Sequence, residues 1–277
     1  MCEIPIEEKI ILATRAKANS YDACLWELKK RFNNNFGKIS KIYIVCDANK
    51  NITEINGIPA EVIFNKRSIK ACAFNSVIDR LNEENDKRFH LLTFSIEVDL
   101  KSENIEKMIS EINQDKENTI AAGYRLKDNI LGETEANIYA NGDLMGEDIG
   151  IAYKVPWNTC GLWNKKFVYG TGKQRLWFDE ICESENNQFG ALSIKGFQDK
   201  TEYEGMEDGL AIAKLIYDNS NLKCKLIKNP LLWTISGDDE RKLKHRLKLA
   251  RKNIVLSAFI NIKGYSIEKL NSAAIFV

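Results

Sequence analysis

The first half of the chain alternates between strand-like and helix-like segments, and this alternation restricts the fold more than any other feature. Short runs rich in Ile, Val, Leu and Tyr are typical of buried strands, whereas apolar residues at every third or fourth position are typical of helices. Strands separated by helices favour a mostly parallel sheet covered by helices on both faces. The predicted segments are a strand at 9–14, a helix at 21–32 with Ser20 as its N-cap, strands at 41–46 and 61–64, a helix at 68–81, a strand at 90–96, a helix at 105–112 and a strand at 119–124.

The alternation weakens after residue 127, where glycines, carboxylates and then aromatic residues become frequent. The segments predicted beyond this point are a helix at 207–217, a strand at 223–227 that ends at Asn229-Pro230, and a long helix at 238–258. Asn-Pro favours the end of a strand because proline cannot donate a hydrogen bond to a neighbouring strand.

Composition excludes several classes of protein. A net charge of +1 over 277 residues gives no overall positive field that would favour nucleic acid as a partner. Seven scattered cysteines without a Cys-x-x-Cys pair, together with only two histidines, argue against a zinc site and favour reduced thiols. We find no signal peptide and no apolar stretch long enough to cross a bilayer, so we expect a cytoplasmic protein.

Acidic residues follow two of the predicted strands. Asp47 ends the strand at 41–46, and Glu97 and Asp99 follow the apolar run at 91–96. Ligands of open α/β sheets bind at the carboxyl ends of the strands, and residues two apart in an extended chain point the same way. Carboxylate oxygens placed there can hold a divalent cation, which in turn binds a diphosphate. The alternatives are an Asx turn for the first acid and capping of the next helix for the last.

Two helix starts carry further candidate residues. Lys70 lies in the first turn of the predicted helix at 68–81, where the free backbone N–H groups favour phosphate, and Asn75 lies further along it. Glu207 and Asp208 open the later helix, and a carboxylate held there can act as a general base. The alternatives are a solvated lysine, a surface or capping asparagine, and acids that only complement the helix dipole.

The order of these residues resembles that of the GT-A glycosyltransferases, most closely the large family that includes many bacterial polysaccharide- and glycan-forming enzymes. The resemblance runs from about residue 8 to about residue 235. Asp47 matches the acid that contacts the nucleotide base, Glu97-Val98-Asp99 the Asp-x-Asp motif, and Glu207-Asp208 the Glu-Asp motif. Residues 68–76 resemble the Gly-x-x-x-Ala-x-Asn helix without its glycine.

The resemblance implies a GT-A (Rossmann-like) α/β fold, with a mostly parallel sheet flanked by helices and a C-terminal helical extension. The implied catalytic domain covers 1–235, with a nucleotide-binding half at 1–127 and an acceptor half at 128–235, and the extension covers 236–277. It further implies Asp99 as the ligand of Mn²⁺ or Mg²⁺ and Asp208, beside Glu207, as the catalytic base. The implied contacts with the nucleotide sugar are Thr14, Arg15, Asp47, Lys70, Asn75 and Glu97, and those in the sugar and acceptor cleft are Trp157, Asn158 and Trp163.

The implied activity is metal-dependent transfer of a sugar from a nucleotide-diphosphate donor, such as a UDP-sugar. The acceptor would be a glycan, a lipid-linked acceptor or another hydroxyl, and the transfer would invert the anomeric centre, as in polysaccharide biosynthesis.

Three features depart from the family. Glutamate replaces the first acid of the metal motif, residues 15–19 lack the usual proline-containing turn, and 231–234 lack a metal-binding histidine. A catalytically silent GT-A-like binding protein therefore stays an alternative, as does a sugar nucleotidyltransferase, although the loop after the first strand has no glycine.

The segment 238–260 combines a basic face with an apolar stripe at helical spacing. Such a helix packs its apolar side on the protein and can rest its basic side on anionic lipid or hold a polyanionic acceptor. We therefore expect peripheral contact with the inner face of a membrane. The basic residues are Arg241, Lys242, Lys244, Arg246, Lys248, Arg251 and Lys252, and the apolar ones are Leu243, Leu247, Ala250 and Ile254.

Overall fold

A computed structural model describes most of the chain, and all structural statements concern these residues. They are residues 9–32, 38–66, 71–84, 87–128, 155–157, 159–178, 207–234, 239–240, 256–257, 259–261 and 263–277. The strands are β1 (Ile10–Ala16), β2 (Ile39–Cys46), β3 (Glu54–Ile55), β4 (Ile58–Phe64), β5 (His90–Phe94), β6 (Thr119–Asp128), β7 (Cys160–Trp163), β8 (Lys223–Trp233) and β9 (Ala274–Phe276). The helices are α1 (Tyr21–Arg31), α2 (Asn75–Glu83), α3 (Ser102–Asn113), α4 (Lys165–Val168), α5 (Glu207–Asp218) and α6 (Ile267–Ala273).

The strands form one sheet in the order β3-β4-β2-β1-β5-β7-β6-β8-β9. Strands β4, β2, β1 and β5 pair in parallel, as do β6, β8 and β9. Only β3 and β7 run against their neighbours within this sheet. The predicted mixed α/β fold with a mostly parallel sheet flanked by helices is confirmed.

Each face of the sheet is covered by its own set of helices. Successive side chains of a strand point to opposite faces, so Ile10 and Leu12 of β1 belong to one hydrophobic cluster and Ile11 and Ala13 to the other. Helices α1 and α3 pack on the first face, and α2, α4, α5 and α6 pack on the second. All five residues of β5 are buried, as expected for a strand covered on both sides.

Most predicted segments are confirmed with small shifts at their ends. The predicted helix at 68–81 is a 3₁₀ turn at Ala71–Phe74 followed directly by α2. Strand β5 ends earlier than predicted because the backbone turns at Ser95, whose carbonyl accepts a hydrogen bond of 3.0 Å from the amide of Val98. Ser20 occupies the N-cap position of α1, but its side chain makes no capping hydrogen bond.

The predicted end of a strand at Asn229-Pro230 is wrong, since β8 continues through these residues to Trp233. The register against β6 shifts between Ile227 and Leu231, so that the intervening residues bulge out of the ladder and are exposed. A bulge is where a sheet tolerates proline, because the missing N–H has no partner to serve there.

The C-terminal residues add a strand that the sequence did not predict. After α6, β9 pairs in parallel with β8, with Ala274 opposite Cys224, and closes the sheet at that edge. Of the predicted basic segment at 238–260, residues 241–255 lie outside the described part of the chain. None of the described helices combines the length and the apolar character needed to cross a membrane.

Candidate functional site

Several of the predicted site residues lie at one edge of the sheet. Because β1, β2, β5 and β8 run in parallel, their carboxyl ends share an edge, which carries Arg15, Asp47, Glu97 and Asp99. Helix α5 ends close to the amino end of β8, which follows it in the chain. It also contacts the turn at Ala71–Phe74, which lies at the carboxyl edge of the sheet, so α5 begins at that edge. Its first turn therefore brings Asp208 to the same edge as the other acids.

The loop that holds the acid pair is fixed by the end of β8. Val98 forms an isolated antiparallel bridge with Trp233. On either side of it, the carbonyl of Glu97 accepts a hydrogen bond of 2.8 Å from the 232–234 segment, and the amide of Asp99 donates one of 2.8 Å to it. Two backbone hydrogen bonds thus set the position of both acidic residues against the sheet.

Helix α1 fixes the same loop from its other side. The guanidinium of Arg31 donates a hydrogen bond to the carbonyl of Val98 and lies 6.0 Å from the ring centroid of Phe94. Its Nε also pairs with Oε2 of Glu27 at 3.2 Å, which keeps the guanidinium in place. The backbone between the two acids is therefore held by neighbours on both sides, and its position does not depend on a ligand.

The two carboxylates of the pair lie in different surroundings. Glu97 is half-buried, and its Oε2 accepts a hydrogen bond of 3.3 Å from the indole Nε1 of Trp233. Asp99 is exposed. Asp99 is thus the acid of this pair whose side chain faces solvent, as expected for the acid that meets a ligand.

Asp47 ties together the ends of two parallel strands. Its Oδ1 accepts a hydrogen bond of 2.6 Å from the amide of Ala18, in the loop that follows β1. The contact fixes the β1 loop beside the end of β2. The predicted contact with a nucleotide base stays a prediction.

The end of β1 places its two candidate residues differently. Arg15 stacks its guanidinium on the ring of Phe74, 5.0 Å from the centroid, at the edge where the acids lie. Thr14 is 1% exposed, and its hydroxyl has no hydrogen-bond partner in the described structure. The predicted contact of Thr14 with the donor stays a prediction.

The side chain of Asn75 is engaged within the protein, and its predicted contact with the donor stays a prediction. Its side chain is 8% exposed; Nδ2 donates to the carbonyl of Phe178 at 2.8 Å, and Oδ1 accepts from the amide of Phe178 at 2.9 Å. Both ends of the amide are engaged by one backbone residue, so Asn75 fixes the aromatic-rich segment onto α2.

Trp163 is also placed differently from the prediction. It lies within β7, is fully buried, and donates a hydrogen bond from Nε1 to Oγ1 of Thr93 at 2.9 Å. Its ring packs edge-on against Phe178 at 5.1 Å, so it belongs to the core and not to an open cleft. Trp157 is half-buried and packs edge-on against Trp233 at 6.0 Å, next to the acid pair.

Asp208 is buried at the start of α5, with 3% of its surface exposed. Its Oδ1 accepts a hydrogen bond of 2.9 Å from the amide of Gly209, one of the free N–H groups at a helix start. Lys70, Asn158 and the side chain of Glu207 lie outside the described part of the chain, so the predictions on them stay predictions.

Two residues of the site were missed by sequence reasoning. Arg31 acts across 67 positions of the chain and Trp233 across 136, and neither belongs to a motif. The segment at 231–234 had been noted only for its lack of histidine. Arg31 lies in the last turn of α1, where basic residues are common because they complement the helix dipole, so it carries no specific signal for this role.

Within the described residues, no three His, Cys, Asp or Glu side chains are grouped closely enough to hold a metal ion by themselves. The pair Glu97 and Asp99 offers two carboxylates on one rigid loop. Mg²⁺ usually binds through one or two carboxylates and takes its other ligands from substrate phosphates and water. The donor set therefore fits a metal that arrives with a diphosphate, and not a site closed by protein ligands.

The described surface also has two cavities, of about 250 Å³ and about 400 Å³. They adjoin at Leu222, and the larger one is lined by Asn118 and Lys223, at the amino ends of β6 and β8. They thus lie at the opposite edge of the sheet from the acids. Neither one contains a predicted site residue.

No family model matches the chain, and no curated protein matches it. Among solved structures, it is similar to the crystal structure of the apo form of the glycosyltransferase GlyE of Streptococcus pneumoniae TIGR4, with a TM-score of 0.33 and 9% sequence identity. The match covers 92% of this chain and 64% of that one, so the chain spans less than two thirds of the length of the GlyE chain. A likeness this distant gives no ground for assigning function.

Proposed function

We propose that this chain is a glycosyltransferase that moves a sugar from a nucleotide-diphosphate donor, a UDP-sugar, to a hydroxyl of a glycan or lipid-linked acceptor. The observation that carries the proposal is the loop Glu97-Val98-Asp99, which lies at the carboxyl edge of a parallel sheet and is fixed on both sides. Ligands of open α/β sheets bind at this edge. A rigid acid pair there suits a substrate whose diphosphate brings a divalent cation.

In this proposal Asp99 holds Mn²⁺ or Mg²⁺, because its carboxylate is the exposed one of the pair. When bound, the metal neutralises negative charge on the departing diphosphate. Arg15 lies at the same edge, with its guanidinium held against Phe74, and can bind a phosphate oxygen. Asp47 takes the base or ribose, beside the loop that its carboxylate already fixes.

Asp208 is the proposed base. It removes the proton from the acceptor hydroxyl while that oxygen attacks the anomeric carbon, and the bond from that carbon to the diphosphate breaks. One displacement of this kind inverts the anomeric centre. The start of α5 supports this role because it lies at the edge that carries the acid pair.

The main rival is a catalytically silent protein that binds nucleotide sugars or glycans. It is favoured by the glutamate at position 97 and by the lack of a three-ligand metal cluster among the described residues. The silent protein would bind a donor without consuming it. Metal-dependent hydrolysis of a nucleotide sugar in the absence of an acceptor separates the two hypotheses.

The test is a thermal-shift screen of nucleotide sugars with Mn²⁺, followed by hydrolysis of the best binder. Binding to the folded state raises the melting temperature, so the screen identifies base and sugar together. We expect Asp99→Asn and Asp208→Asn to fold normally and to lose about 100-fold or more in turnover. Asp115→Asn is the matched control, since Asp115 lies at the amino edge and pairs with Lys223. Near-normal turnover in either site variant would refute the role given to that residue.

We also propose that the basic segment at 238–260 makes peripheral contact with an anionic membrane, which would bring the site to lipid-linked acceptors. Vesicles with and without phosphatidylserine test this by co-sedimentation. Binding that does not change when Lys242, Lys244 and Lys248 are replaced by glutamine would disprove it.

A further inference from the structure

Two departures of this chain from the glycosyltransferase motifs contact each other. Glutamate occupies position 97 where the motif has aspartate, and tryptophan occupies position 233 in the segment that lacks histidine. The indole Nε1 of Trp233 donates to Oε2 of Glu97 at 3.3 Å. Glutamate is one methylene longer than aspartate, so its carboxylate lies further from the backbone of the loop.

We infer that Trp233 is a positioning residue that holds the Glu97 carboxylate beside the diphosphate site and leaves Asp99 as the acid that takes the metal. This inference rests on the proposed function for the identity of the ligand. The contact with Glu97 itself is present without any ligand.

The surroundings of Trp233 favour a fixed indole over a mobile one. Trp233 is 8% exposed, and its ring packs edge-on against Trp157 at 6.0 Å. Its backbone forms the bridge to Val98, between the two acids. A buried ring on a pinned backbone has little rotational freedom, so its N–H presents one direction to Glu97.

An indole N–H is a donor only, so it can hold a carboxylate but cannot bind a metal. While Oε2 of Glu97 accepts this hydrogen bond, that oxygen is turned toward the protein. Residues that hydrogen-bond to the side chains around a metal, without binding the metal themselves, typically change metal affinity by 10–100-fold when they are removed. The hydrogen bond thus sets the direction of the Glu97 carboxylate, while Asp99, the exposed acid, stays open to the ligand.

The contact is tested first without any ligand, in the full-length chain. The indole ¹H–¹⁵N resonance of Trp233 is assigned by its loss in Trp233→Phe, which keeps an aromatic ring at this position. We expect this resonance to move upfield in Glu97→Ala and in Glu97→Asp, and to stay in place in Asp99→Ala. A resonance that is unchanged in Glu97→Ala would overturn the inference.

The positioning role is tested with Mn²⁺ and UDP as the probe. Electron paramagnetic resonance measures the concentration of free Mn²⁺. We expect Trp233→Phe to weaken binding about 10-fold and Trp26→Phe, an exposed position on α1, to leave it unchanged. The double variant Trp233→Phe/Glu97→Ala should bind no more weakly than Glu97→Ala alone, because the indole acts through that carboxylate. Additive losses would show a purely structural role and overturn the inference. A wild-type chain that binds no Mn²⁺–UDP would instead refute the proposed donor, and the resonance experiment would still decide whether the contact exists.

Discussion

Removing the side-chain amide of Asn75 should destabilise the fold, because this amide supplies both hydrogen bonds of one buried backbone residue. Asn75→Ala leaves the carbonyl and the amide of Phe178 without the partners that lie at 2.8 Å and 2.9 Å. A buried polar group that loses its partner costs about 1–3 kcal/mol. With partial access of water to the gap, we expect a loss of about 2–4 kcal/mol for the two groups together.

The assay is urea unfolding followed by far-UV circular dichroism, with the slope against urea compared between variants. For a chain of this size, the expected loss corresponds to a fall in melting temperature of about 3–7 °C. Asn221→Ala is the matched control, since Asn221 is exposed near the amino end of β8. Hydrogen exchange at the amide of Phe178 should accelerate in the first variant only.

A loss below about 0.5 kcal/mol for Asn75→Ala, with an unchanged slope, would refute the reasoning. It would mean that the backbone of Phe178 finds other partners and that the asparagine does not fasten the aromatic segment.

Two further predictions concern titratable groups in the core. Burial raises the pKa of the thiols of Cys160 and Cys224 to about 12, so neither should react with iodoacetamide at pH 8 in the native chain. Mass spectrometry should find both modified only after unfolding. Modification of either thiol in the native chain would contradict the packing. Burial acts to raise the pKa of Glu111, but hydrogen bonds from Lys107 and Lys225 outweigh it and hold the pKa below its usual value. A lowered pKa in the folded state adds stability above the unfolded pKa and loses it as the pH falls through the folded pKa. Melting curves from pH 7 to pH 3 should therefore show a flatter acid limb for Glu111→Gln than for wild type, and parallel limbs would refute this.

The parts of the fold that could be predicted from the sequence are those with a local pattern. Strands β1 and β5 are short apolar runs, and α3 carries its buried residues at helical spacing, so burial alone selects their conformation. The predicted strand at 223–227 is shorter than β8, because Pro230 is a local signal for a strand end. In the structure, pairing with β6 on both sides of a bulge outweighs that signal. Strand β9 is three residues long and is stabilised by pairing with β8, which no local pattern reveals.

The same division holds at the candidate site. The acids Asp47, Glu97 and Asp99 could be placed at one edge from the strand order alone, because parallel strands end together. The partners of polar side chains could not be predicted, since the asparagine at 75 meets a residue 103 positions later and the tryptophan at 233 meets one 136 positions earlier. The tertiary fold determines these hydrogen-bond partners, and no periodic pattern in the sequence indicates them.

The reversed direction of β7 has a consequence for how this architecture can diversify. Strand β6 leaves the sheet where the acids lie, and β7 enters it at that same margin because it runs the other way. The chain between them starts and finishes beside the acid pair, whatever its length. Residues can be gained or lost there without changing the register of any strand, so the chain beside the acids can vary while the scaffold that carries the carboxylates stays as it is.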